Sequence, residues 1–194
     1  MSLKKALLLS LILLSILSCA PKELSLLDAY LVLQKEGLAE KKLKGKVFVE
    51  GAFILLNSQD QSGGSYGTFY LDPSSLIIFL RPPLSTEIIL YWDGNPKHFF
   101  LIDTAKKRVY RLHFKEFSLE DLPSYFLGLK EGKVKFKRNN LMGEYTFSKE
   151  ELKGVLQANL FNLSWKIKEI TFTEEYPPPL SFENYKLKTI EVDL

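Results

Sequence analysis

Between Tyr66 and His113 the chain is a series of short, strongly apolar runs punctuated by turn residues. The runs are Tyr66–Leu71, Ser75–Arg81, Thr86–Trp92, His98–Asp103 and Arg108–His113. Between them stand Asp72-Pro73, Pro82-Pro83, Asp93-Gly94-Asn95-Pro96 and Thr104-Ala105-Lys106-Lys107. Runs this short, at this spacing, predict strands joined as an antiparallel meander. Their composition agrees, because 14 Phe and 9 Tyr suit a pleated, half-buried surface. Many of the runs are apolar at both alternating sets of positions. Ile77 and Phe79 oppose Leu76, Ile78 and Leu80; Phe48, Ile54 and Leu56 oppose Val47, Val49, Phe53 and Leu55. A sheet wetted on one face would alternate more cleanly. Such strands need cover on both sides, or one of their faces lines an apolar cavity.

The rest of the chain supplies that cover. Ser25–Glu36 reads as a helix, with Ser25 as cap, Asp28 three residues on, Gly37 as stop, and a broad apolar face of Leu26, Leu27, Tyr30, Leu31 and Leu33. Lys46–Asn57 reads as one long, curved strand, and Ser58–Ser65 as a loop. Ser118, with Asp121 in capping-box position, opens a second helix ending near Gly128. A hairpin follows at Lys133–Arg138 and Leu141–Phe147 around Asn139-Asn140, and Ser148–Glu151 reads as one helical turn. Further strands are expected at Leu156–Leu163, Trp165–Phe172 and Tyr185–Val192, with Pro177-Pro178-Pro179 before the last. About ten strands and two helices predict a mainly β domain over residues 25–194. Its expected form is a half-open antiparallel β-barrel covered by helices.

The N-terminus addresses location. Lys4 and Lys5 precede an apolar run from Ala6 to Leu17, and small Ser18 stands before Cys19, the only cysteine. About 12 residues make roughly 18 Å of helix, short of the ~30 Å hydrocarbon core, and the layout is that of an export signal. Ile16-Leu17-Ser18-Cys19 also resembles the lipobox of bacterial lipoproteins, in which the cysteine receives diacylglycerol and becomes the mature N-terminus. A lone thiol is unusual in an oxidising compartment, and acylation accounts for it. Residues 1–18 are therefore read as a signal peptide and 19–24 as a lipidated tether. Loss of Lys4 and Lys5 with the signal leaves 24 basic against 23 acidic residues. That balance gives no electrostatic case for nucleic acid.

No catalytic constellation is visible. The sequence lacks H-E-x-x-H and a Gly-rich phosphate loop. His98 and His113 have no acid or cysteine at ligand spacing, so neither a metal nor a cofactor is expected beyond the lipid on Cys19.

The stretch from Arg81 to Asp103, RPPLSTEIILYWDGNPKHFFLID, resembles the corresponding segment of the LolB outer-membrane lipoprotein receptors. That segment reads strand, Pro-Leu-Gly-Ser/Thr, strand, turn, strand ending in Asp. Leu122–Leu129 (LPSYFLGL) is similar to the family's helix that ends in an aromatic followed by Leu-Gly-Leu. The resemblance implies a half-open barrel, lidded by helices, whose cavity holds acyl chains of other lipoproteins. These chains would come from a LolA-like periplasmic carrier and pass into outer-membrane lipid, through a monomeric, periplasm-facing lipoprotein. Ala20 in place of Asp after the cysteine agrees with outer-membrane sorting in the enterobacterial scheme. Leu84, behind Pro83, takes the place of the loop leucine that pushes cargo into the bilayer, although Ser85 stands where glycine is usual. Expected cavity residues are Phe53, Leu55, Phe69, Phe79, Ile88, Leu90, Trp92 and Phe100, with Tyr125 and Phe126 on the lid. Two other readings stay open: a lipid- or glycolipid-binding lipoprotein of the same fold, and a structural envelope-assembly lipoprotein with a filled core.

Overall fold

The computed structural model describes residues 24–53, 63–81, 87–114, 118–130, 134–138, 141–158, 161–178 and 180–192. The side chains of 52, 53, 63, 134–138, 141–143, 158, 161 and 192 lie outside that description. Cys19, Leu55, Pro83 and Leu84 also fall outside it.

Among the described residues eleven strands form one sheet. In chain order they are β1 (Leu43–Phe53), β2 (Gly63–Asp72), β3 (Ser75–Arg81), β4 (Ile88–Trp92), β5 (His98–Asp103), β6 (Arg108–Phe114), β7 (Val134–Arg138), β8 (Leu141–Ser148), β9 (Lys153–Ala158), β10 (Phe161–Phe172) and β11 (Lys186–Val192). Across the sheet they run β11-β6-β5-β4-β3-β2-β1-β10-β9-β8-β7. The meander β2 to β6 is the one read from the turn signals. The sheet is open, with β11 and β7 as its edges.

One pairing departs from the antiparallel expectation. β11 lies parallel to β6, with Leu187 opposite Val109 and Ile190 opposite Leu112, so the sheet is mixed. A parallel neighbour requires a long crossover; here it consists of everything between Phe114 and Lys186. Local turn chemistry cannot announce a partner that far away. Exposed Lys186 and Lys188 on β11 discourage this edge from pairing with another chain.

Helix α1 (Leu26–Glu36) forms where expected. Ser25 Oγ accepts from the Asp28 backbone N–H at 3.2 Å and donates to the Asp28 carboxylate at 2.7 Å. Gly37, at φ +73°, ends the helix. Ala29, Tyr30 and Leu33 are buried, and the helix packs on β10. Helix α2 is only Leu122–Phe126, with Pro123 in its first turn. Proline has no N–H to give an interior helical bond, so the helix cannot continue upstream to Ser118. The proposed helical turn at Ser148–Glu151 is instead the tight connection of the β8–β9 hairpin, closed by Leu152 at φ +47°. In the tail, the expected break at Ser164 is absent. β10 runs unbroken through it, and β9 starts earlier, at Lys153.

The sheet must curl. β3 and β8 are five strands apart in the order, about 24 Å on a flat sheet at ~4.8 Å per strand. Yet the five-residue helix α2 contacts β3 and receives the Tyr145 hydroxyl of β8 on the Tyr125 carbonyl. A helix about 7.5 Å long reaches both only if the sheet wraps around it. Large inner aromatics sit over cross-strand glycines to allow the bend. Phe69 pairs with Gly45 and Trp165 with Gly154. A Cβ on Gly45 would stand 2.0 Å from the Glu169 carbonyl oxygen and 2.4 Å from the Phe69 ring. Gly45→Ala is therefore expected to destabilise the protein by about 1–3 kcal/mol. The change would appear as a lower urea midpoint with unchanged slope; an unaltered midpoint would refute the close approach.

Candidate functional site

Strand alternation sorts the expected cavity residues onto two faces. Phe69, Leu90 and Trp92 are buried on the helix-facing side, and Ile88 packs against them half-buried. Phe79 and Phe100 belong to a separate cluster on the opposite side. Phe79 stands between Ile78 and Leu80, and Phe100 precedes Leu101, so period 2 turns each away from the helices. The eight residues therefore do not line one cavity. Phe53 closes β1 opposite Phe161.

The helix-facing side is built around α2. Phe126 meets Phe69 edge-on at 5.2 Å and stacks on Trp165 at 5.9 Å and 13°. Trp165 Nε1 donates to the Phe126 carbonyl at 3.0 Å. Tyr145 stacks on Trp165 at 6.0 Å, and Tyr30 of α1 donates its hydroxyl to the Gly128 carbonyl at 3.1 Å. Phe126, expected as a lid contact, is thus a core residue; Tyr125 beside it remains half-buried. Burial among these rings raises the Tyr145 phenol well above its ordinary value, and burial raises that of Tyr30 against the opposing bond from Gln34. Both groups stay neutral donors.

Beyond this plug the apolar surface continues without being fully covered. Leu163 and Leu156 are direct cross-strand partners on β10 and β9, next to Tyr145 on β8. Both are half-buried against the core, as are Tyr125, Leu129 and Phe147. They form a partly exposed apolar margin beside the helices, with the Lys130 ammonium 5.2 Å over the Tyr125 ring at one end.

The opposite face carries what sequence reasoning missed. Tyr91, Phe79 and Phe100 are overlaid by Tyr176, Leu180, Phe182 and Tyr185. Phe182 stacks on Phe100 at 5.6 Å and lies 6.3 Å from Tyr91. The Tyr176 hydroxyl is bonded to Ser75 Oγ. Burial pushes the Tyr176 phenol up to about 12, with the Ser75 bond acting against it. The signal was present: aromatic residues flank the triple proline, and β3–β5 needed a second cover.

A depression of about 400 Å³ also lies on this outer side, lined by Glu50, Lys153, Val155, Gln157, Asn162 and Ser164 with Gly51. Five of its seven residues carry polar or charged side chains, although the surface they present to it is more apolar than polar. Among the described residues no group of three or more His, Cys, Asp or Glu is placed to hold a metal. His98 and His113 face each other across β5 and β6 with ring centroids 5.1 Å apart. No helix among the described residues is long and apolar enough to cross a membrane.

No protein-family model matches the chain, and no curated protein matches it.

Two outcomes test this geometry. Phe126→Ala removes the ring shared by Phe69 and Trp165 and is expected to cost about 3–5 kcal/mol in urea unfolding. A loss under 1 kcal/mol would mean that α2 is not the plug. The second concerns alkaline pH. The folded state holds the Tyr176 proton more tightly than the unfolded chain does, whose phenol ionises near 10.0. Stability is then complete below pH 10 and falls as pH rises through about 12. Tyr176→Phe should give a shallower decline of the urea midpoint over that window; an identical decline would exclude Tyr176 as its source.

Proposed function

We propose that this chain is a lipid-anchored envelope receptor of the LolB type, taking acyl chains of other lipoproteins from a carrier and delivering them to the outer membrane. The observation that carries the reading is the apolar margin of Leu156, Leu163, Tyr125, Leu129 and Phe147. It runs beside a helical plug on the inner side of a curled, open sheet. That arrangement suits a half-open barrel with a place for alkyl chains. Each methylene withdrawn from water contributes about 0.8 kcal/mol, so a few methylenes on this margin would hold a chain, yet release it to a bilayer that buries more of it. Transfer then runs downhill without a nucleotide. Cys19 would carry the anchoring lipid, and Leu84 would meet the bilayer during delivery.

One observation favours a second reading. Phe69, Leu90 and Trp92 are buried by the protein's own side chains, which suits a structural envelope lipoprotein with a filled core. An acyl-transfer assay from a carrier–lipoprotein complex to liposomes separates the two. Under the receptor reading, Leu156→Arg lowers uptake of cargo at least about tenfold, because a charge placed on the margin disfavours alkyl contact. Leu84→Glu leaves uptake intact and abolishes insertion. A wild-type protein that takes up no acylated cargo would overturn the receptor reading. An active Leu84→Glu variant would remove the loop from the mechanism.

A further inference from the structure

Helix α1 has two apolar faces, and the fold uses only one. Ala29, Tyr30 and Leu33 are buried, whereas Leu24, Leu27 and Leu31 are 45%, 61% and 51% exposed. At 100° per residue Leu27 and Leu31 lie about 40° apart, and about 120° and 160° away from Leu33. Leu24, just before the Ser25 cap, extends that row toward the N-terminus. Two large leucines on the water-facing sector of α1 and a third just before its cap are not explained by packing.

The position of the stripe in the chain indicates what covers it. Leu24 is five residues from Cys19, and five residues span at most about 17 Å even when extended. If Cys19 carries the lipid, the N-terminal end of α1 is confined close to the headgroups, a layer of roughly 5–7 Å per leaflet. We propose that the stripe Leu24/Leu27/Leu31 lies on the bilayer surface, α1 resting in the interface with its buried side toward the sheet. The inference deepens the receptor reading and rests on its lipid anchor. One neighbour on the exposed sector fits an interfacial helix: Lys35 is exposed beside the leucines, where its ammonium reaches headgroups. Docked this way, the domain is held by two contacts, the acyl chains at Cys19 and the leucines of α1. Its orientation relative to the membrane is then set rather than free to swivel on the tether.

The test uses the lipidated mature protein in vesicles of phosphatidylethanolamine and phosphatidylglycerol. Because Cys19 is the only cysteine, a cysteine introduced by Leu27→Cys, Leu31→Cys or Glu150→Cys is the sole free thiol for an environment-sensitive dye. Lipids brominated on the acyl chain should quench dyes at 27 and 31 at least about twofold more than the dye at 150. Equal quenching at all three would overturn the proposal. So would a dye at 31 that stays in water until a carrier protein or second copy is added, since the stripe would then be a protein interface. In the mature chain with Cys19→Ser, Leu27→Ser/Leu31→Ser should lower vesicle partition about tenfold while leaving the melting temperature unchanged, both side chains being exposed. Mass spectrometry of the mature N-terminus judges the anchor separately. An unlipidated Cys19 with leucine-dependent partition intact would sink the receptor reading and support the stripe.

Discussion

The contact of Phe126 with Phe69 and Trp165 is the constraint on which the architecture depends. Phe69 belongs to β2 and Trp165 to β10, with β1 between them. One ring wedged against both, and a Trp165 bond to its own carbonyl, sets how sharply the sheet bends there. Strand pairing alone tolerates a wide range of twist and curl. A rigid wedge anchored by a buried hydrogen bond selects one. Gly45 and Gly154 are the complementary requirement, because any side chain at either position would push the aromatic ring over it away.

From that junction the two sides of the sheet acquire different characters. Inside, α1 and α2 fill the tightest part of the curl and leave half-buried leucines along β9 and β10. Outside, the 176–185 segment lays its own aromatics over β3–β5 and then enters the sheet beside β6 as β11. The doubly apolar strands are thus covered on both sides by unrelated parts of the chain. Among the described residues, accessible apolar side chains include Tyr66 and Leu187 on the sheet, the inner margin and the outer sector of α1. The last two are the places where the proposed function needs contact with alkyl chains.

Much of the fold was legible because it is local. Period-2 runs between Pro, Gly and Asn turns marked β2–β6 within a few residues, and Ser25, Asp28 and Gly37 marked both ends of α1. Errors arose where a single residue outweighed a pattern. Pro123 cut α2 to one turn despite apolar spacing back to Leu119. At Ser148–Glu151, a capping-like sequence served a hairpin turn. The candidate site was less legible. In doubly apolar strands the two faces have the same composition, so nothing in Ile77–Leu80 says which residue meets the helices. Phe79 and Phe100 were grouped with Phe69 for that reason.

By itself, then, the sequence determined the strand-rich class, the meander, and α1 with its caps. These rest on backbone preferences and short-range spacing, which act within a turn or two of chain. Tertiary structure alone decided the parallel partner of β6, the face of each apolar residue, the conversion of Phe126 from lid to wedge, and the exposure of Leu27 and Leu31. Each depends on segments tens of residues apart meeting in space. Burial there is settled by which surface arrives first to exclude water, and no local residue pattern carries that information.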